Sequence, residues 1–107
     1  MMRLGPSSSE NSEKGLKMEE HVRYHMIVSG RVQGVGFRYR VSHAANALGL
    51  TGWVTNCWND TVELEVQGPP DVIGQMLDMA ARSEAVWIEE IRKTRMELQK
   101  ESGFHIR

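Results

Sequence analysis

The sequence predicts an α+β sandwich in which two helices cover one face of an antiparallel sheet. Three observations predict it. Apolar residues alternate with polar ones in Tyr24–Ser29 and Thr61–Gln67. Apolar residues recur at helical spacing in Phe37–Leu48 and Val72–Ala80. These stretches follow one another as strand, helix, strand, strand, helix, strand, with 107 residues suggesting a single domain.

Residues Met1 to about Glu20 contain Gly5-Pro6-Ser7-Ser8-Ser9 and a polar run to Lys17. With almost no apolar surface to bury, residues 1–20 are expected to be a disordered or loosely held leader, and residues 21–107 the folded domain. Tyr24, Met26 and Val28 then alternate with His25, Ile27 and Ser29, and the apolar Ile27 on the second face predicts an interior strand. A loop with Gly34 and Gly36 follows. Beyond it Phe37, Val41, Ala44, Ala45 and Leu48 share one helical face, with Gly49 as the stop and Leu50 packing back. Trp53–Trp58 reads as a second strand and Asn59-Asp60 as a turn.

The next strand has a dry face, Val62, Leu64 and Val66, and a wet one, Thr61, Glu63, Glu65 and Gln67. The two strands around the turn form a hairpin. Gly68-Pro69-Pro70-Asp71 opens the second helix, whose apolar face is Val72, Ile73, Met76, Leu77 and Ala80. Ala85-Val86-Trp87-Ile88 begins another strand, and the broken alternation at Glu89-Glu90-Ile91 predicts a bulge or a register change. Phe104–Arg107 is a short last strand. This order matches the ferredoxin-like sandwich, an architecture that serves many functions.

A net charge of −1 provides no global attraction to nucleic acid or anionic membrane. There is no apolar run long enough for a signal peptide or a membrane span. Cys57 is the only cysteine, so no intrachain disulfide forms and a reducing compartment fits. A cytoplasmic protein is expected. His21, His25, His43 and His105 lack metal-ligand spacing, so no metal site is assigned. Cys57 has no evident neighbouring charge to stabilise a thiolate, and Ser29 no evident base. Glu63 and Glu65 read as the solvated side of the sheet.

The glycine loop carries the sharper expectation. Gly34 and Gly36 let the backbone turn tightly and expose N–H groups, and the helix start adds unpaired donors and positive dipole. Arg38 adds a planar fork of donors. Together these describe a cradle for a small oxyanion. The spacing is neither G-x-x-x-x-G-K-[ST] nor G-x-G-x-x-G, so a nucleotide site is not expected. Asn56 stands before the hairpin turn, where an Asn ordinarily caps backbone groups. If its strand lies beside the first, its amide can instead hold a water in line with a bound phosphorus.

Gly30-Arg31-Val32-Gln33-Gly34-Val35-Gly36-Phe37-Arg38 resembles the first signature of the acylphosphatases. Gly52-Trp53-Val54-Thr55-Asn56, with Val62-Glu63 and Gln67-Gly68, resembles the second, and Phe104–Arg107 is similar to the family's last strand. The resemblance covers roughly His21 to Arg107. It implies a ferredoxin-like fold and metal-independent hydrolysis of acyl phosphates to a carboxylate and inorganic phosphate. By matching position it implies that Arg38 binds phosphate and Asn56 orients the attacking water. Gln33, Gly34, Val35, Gly36 and Phe37 correspond to the amide cradle. The implied partner is a small-molecule acyl phosphate, with phosphate as product and inhibitor. No cofactor, nucleic acid or membrane is implied, and a monomer is expected.

Departures are Asn59-Asp60 where the family usually has Asp-Gly, and Arg82-Ser83-Glu84-Ala85 without the usual Gly-Pro. Trp87 and Glu90 also fit the fourth strand's pattern poorly, and Met1–Glu20 has no family counterpart. The alternative reading is a non-catalytic ferredoxin-like module that binds an anion or a protein. Arg38 and Asn56 together favour the enzyme, because a binding module needs no water-orienting amide. The chain's length argues against a third reading, a domain within a larger carbamoyl- or acyl-transfer machine.

Overall fold

Alternation, helical periodicity and turn chemistry each fix one part of the chain, and the computed structural model describes residues 20–107. The expectation about residues 1–20 therefore lies, Glu20 apart, outside the described residues. β1 spans Val22–Arg31, with Met26 and Val28 buried on one face and His25, Ile27 and Ser29 half-buried on the other. α1 spans Phe37–Ala47 and buries Phe37, Val41, Ala44 and Ala45. It ends as a Schellman motif: Gly49 N–H donates to the Asn46 carbonyl (3.3 Å) and Leu50 N–H to the Ala45 carbonyl (2.9 Å). Leu50 then folds back into the core.

β2 spans Thr51–Asn56 and β3 Val62–Gly68. The second strand thus starts earlier than its sequence pattern indicated and stops before Cys57 and Trp58. The reason is the hairpin closure. Cys57 N–H donates to the Thr61 carbonyl (2.8 Å), and Asp60 takes a left-handed conformation at φ 68°, leaving residues 58–60 outside the ladder. Trp58 is an apolar residue at a loop tip, 95% exposed. α2 spans Pro70–Ala80, follows the extended Pro69, and buries Ile73, Met76 and Ala80.

β4 spans Trp87–Met96 and β5 Phe104–Ile106. The expected bulge is present. Glu90 opposes Ser29 and Ile88 opposes Gly30, so Glu89 is the extra residue. The sheet order is β4-β1-β3-β2-β5. Its first three pairings are antiparallel, but β5 runs parallel to β2, so the sheet is mixed rather than antiparallel throughout. Both helices pack over one face, and the fold is ferredoxin-like. Val62, Leu64 and Val66 sit at its centre, fully buried with Met26, Val28, Phe37, Val41 and Met76.

The opposite sheet face is not simply wet. Arg23 is fully buried there. Its Nε and Nη2 donate to Glu65 Oε1 (3.1 and 2.8 Å), and its Nη1 donates to Gln67 Oε1 (3.2 Å). Glu101 Oε1 lies 2.9 Å from Arg23 Nη2, at ion-pair distance but without hydrogen-bond alignment. Gln67 also exchanges hydrogen bonds with the Gln99 backbone (3.0 and 2.8 Å). Glu63 and Glu65, expected on a solvated side, are each held by a cation-forming partner, Glu63 by His25 Nε2 (2.7 Å). The segment between β4 and β5 crosses this face, and that crossing brings β5 to the far edge in the direction of β2.

Stability measurements on three variants check this packing. Leu64→Ala is expected to cost ~2–5 kcal/mol in denaturant melts, from lost transfer energy and a cavity. Gly30 lies at φ 128° against the bulge, where a Cβ would collide with the Trp87 carbonyl oxygen. Gly30→Ala is therefore expected to lose at least about 2 kcal/mol. Gly34→Ala should lose only about 1–2 kcal/mol, from backbone conformation alone, because a Cβ there meets nothing within 4 Å.

Candidate active site

The site follows from strand direction. β3 is antiparallel to both β1 and β2, so β1 and β2 point the same way and end on the same side. They are not adjacent, since β3 lies between them. Val28, Val62 and Asn56 form one row across the three strands, on the face covered by the helices. β1 runs on from that row into the glycine loop, and β2 stops at it.

The loop between β1 and α1 is pinned at both ends. Val32 and Phe37 are buried, while Gln33 and Val35 are half-buried and Gly34 and Gly36 exposed. Gly34 and Gly36 have φ of 73° and 82°, in the left-handed region that residues with a Cβ avoid. Gly36 is the N-cap of α1 and contributes no side-chain cap. The first helical bond is Arg40 N–H to the Gly36 carbonyl (2.9 Å). Among the described residues, the N–H groups from Gln33 to Tyr39 donate to no protein acceptor. They form a run of donors at a positive helix end, which suits an oxyanion.

Arg38 is the second residue of α1 and is half-buried, with no ion-pair or hydrogen-bond partner among the described residues. The contrast with Arg23, surrounded by acceptors, is direct. Arg40, two residues on, donates from Nη2 to the Arg82 carbonyl (3.3 Å). Asn56 is exposed, and its side chain makes no hydrogen bond among the described residues. It does not cap the hairpin turn. In the turn itself Asn59 is engaged, its Oδ1 accepting from Thr61 Oγ1 (2.7 Å).

The side chain of Gln33 has a place that the sequence did not disclose. Its Nε2 donates to the Cys57 carbonyl (2.7 Å) and to the Thr61 carbonyl (2.8 Å), joining the glycine loop to the hairpin next to Asn56. The only available signal was an amide side chain within a glycine loop, which does not identify its acceptors. An open cleft beside the loop, lined by Arg31, Gln33, Asp60, Trp87 and Glu89, contains neither Arg38 nor Asn56.

The remaining candidates are accounted for by local contacts. Cys57 Sγ points to Glu63 Oε1 (3.8 Å), Ser29 Oγ donates weakly to the Glu90 carbonyl (3.5 Å), and His43 stacks near Tyr39. Among the described residues no three His, Cys, Asp or Glu side chains are grouped to hold a metal ion, and no helix is long and apolar enough to cross a membrane.

This chain is similar to known proteins along nearly its whole described length. A family model for acylphosphatase matches residues 24–106. An acylphosphatase from Moorella thermoacetica is 46% identical over 88 residues, which is 80% of this chain and 94% of that protein. The crystal structure of acylphosphatase from Bacillus subtilis is similar with a TM-score of 0.72 and 34% identity, covering 79% of this chain and 97% of that one. An acylphosphatase structure from Coxiella burnetii gives a TM-score of 0.74 and 31% identity, covering 83% and 95%. A fold, a glycine loop and a hairpin arranged in this way, matched from residue 24 to 106, make this chain a member of the acylphosphatase family and an acyl-phosphate hydrolase.

Proposed function

We propose that the loop amides from Gln33 to Phe37 and the Arg38 guanidinium bind the phosphoryl group of an acyl phosphate, and that Asn56 orients the water that attacks it. The observation that carries this reading is a contrast in hydrogen bonding. Most polar side chains nearby are engaged, whereas the loop N–H groups, Arg38 and the Asn56 amide have no protein partner among the described residues. All three belong to one end of the sheet.

The chemistry needs little more. Water oxygen forms a bond to phosphorus as the bond from phosphorus to the acyl oxygen breaks. The electron pair leaves with the carboxylate, which is a good leaving group without protonation. A phosphoryl oxygen takes the water's proton, so an acyl phosphate dianion and water give a carboxylate and dihydrogen phosphate. The protein's task is to hold the phosphoryl oxygens, offset their charge and position the water. Arg38 forms charge-assisted bonds in a planar fork, and the backbone donors are fixed before substrate arrives. Asn56 contributes no charge, so its share falls on the water's orientation and hence on the transition state. Inorganic phosphate, the product, occupies the same cradle and is a competitive inhibitor.

Turnover of a small aryl acyl phosphate, followed by loss of ultraviolet absorbance, tests the activity directly. No turnover by folded protein would favour the anion-binding alternative. Arg38→Ala should abolish turnover and phosphate inhibition together. Arg38→Lys should largely fail, because an ammonium cannot reproduce the fork. Unchanged phosphate affinity in Arg38→Ala would remove Arg38 from the cradle. Asn56→Ala should behave differently. Its turnover should fall by roughly two orders of magnitude, the scale for losing one preorganised hydrogen-bonding group. Its phosphate inhibition constant should stay within about threefold. Near-normal turnover in the folded Asn56→Ala variant would exclude Asn56 from the mechanism.

A further inference from the structure

Gln33 lies inside the phosphate-binding loop, yet its side chain is directed to the hairpin. Cys57 and Thr61 close that hairpin, and Cys57 directly follows Asn56. The backbone closes it with Cys57 N–H donating to the Thr61 carbonyl (2.8 Å) around a tight turn at Trp58-Asn59. Gln33 Nε2 adds a bond to the Cys57 carbonyl at 2.7 Å and a second to the Thr61 carbonyl at 2.8 Å. An amide nitrogen has two hydrogens, and both are used here. These are the only hydrogen bonds among the described residues that join residues 32–36 to residues 57–61.

We propose that Gln33 is a positioning residue, whose side-chain amide clamps the β2–β3 hairpin to the phosphate-binding loop and thereby sets Asn56 relative to the bound phosphoryl group. The inference rests on the reading of Arg38 and Asn56 given above. Asn56 is the last residue of its strand and is exposed, so its own packing does not hold it. The flanking turn includes a left-handed Asp60, a conformation that glycine adopts more readily. Two hydrogen bonds across 24 and 28 residues of sequence tie this end of the hairpin to the loop that holds phosphate. Loop order and water position are thus linked through one side chain. Its backbone N–H remains free to face the ligand, so Gln33 serves the site twice, by separate atoms.

Gln33→Met keeps length and removes both donors. Gln33→Glu keeps shape and sets a carboxylate against two carbonyl oxygens. Both are compared with the unaltered protein for kcat, KM, phosphate inhibition and melting temperature, using an aryl acyl phosphate and inorganic phosphate as probes. Both variants should lose kcat on the order of 10- to 100-fold, the scale for a small misplacement of reacting groups. In Gln33→Met, which adds no charge, phosphate inhibition should change by less than about threefold. In the Asn56→Ala background, Gln33→Met should lower kcat by no more than about twofold further, because the two act through one step. Unchanged kcat in either folded variant, or losses that multiply fully in the double variant, would overturn the proposal. So would phosphate inhibition weakened in proportion to kcat in Gln33→Met. Amide hydrogen exchange at Cys57 gives a readout independent of turnover. Faster exchange in Gln33→Met supports the clamp even if Asn56→Ala alone shows that the water-orienting role is wrong, and unchanged exchange overturns it.

Discussion

A one-residue slip of β3 would turn Val62, Leu64 and Val66 out of the core and drive Glu63 and Glu65 into it. That register is the constraint on which the rest of the molecule depends. β3 pairs with β1 on one side and β2 on the other, so its position fixes both neighbours at once. Because both pairings are antiparallel, β1 and β2 share a direction. The loop leaving β1 and the hairpin leaving β2 therefore emerge on one side of the sheet. Val62 lies between Val28 and Asn56, so the same register that buries the valines brings Asn56 to the row from which β1 runs into the glycine loop. Core packing and site geometry have a common origin here.

The second face shows how the chain completes the sheet. A fully buried guanidinium is tolerated only when its donors are met, because a buried charge left without partners is strongly destabilising. Glu65 and Gln67 meet Arg23 from within the sheet, and Glu101 adds a second carboxylate from the crossing segment. Gln67 also engages the backbone of Gln99. The crossing segment is thus held at several points before it reaches β5. Once there, Phe104 N–H donates to Asn46 Oδ1 (3.0 Å), and the Phe104 carbonyl accepts from Asn46 Nδ2 (3.0 Å), tying β5 to α1. Arg107 lies over the Trp53 ring at 4.4 Å, a cation–π contact at the chain's end.

Arg23 and Arg38 differ in what surrounds them. Arg23 is a structural cation whose bonds are taken up by the protein. Arg38 sits at a helix start, with its fork unengaged among the described residues and a run of unpaired N–H groups beside it. The same contrast separates Asn59, spent on the turn, from Asn56, which is not, although both flank one hairpin. Residue type alone does not distinguish these surroundings; the hydrogen-bond partners do.

Local periodicity was enough to determine much of this protein. The dry face of β3, the buried face of α1 with its Gly49 stop and the Pro70 start of α2 follow from spacings within a few residues and were legible as patterns, and the broken alternation near Glu89 marked the bulge that pairing with β1 sets. The glycine loop with Arg38, and the hairpin with Asn56, were legible as motifs because their spacing resembles a known family. The tertiary structure decided what depends on distant partners. The second strand ends at Asn56 rather than Trp58 because the hairpin closes between Cys57 and Thr61. β5 is parallel because the chain crosses the open face to reach β2. Arg23 is buried, and Glu65 is not merely solvated, because they meet across 42 residues of sequence. Gln33 binds the hairpin 24 and 28 residues away. Such bonds leave no periodic trace, since a side-chain donor is the same in sequence whether its acceptor is water, a ligand or a carbonyl brought close by folding.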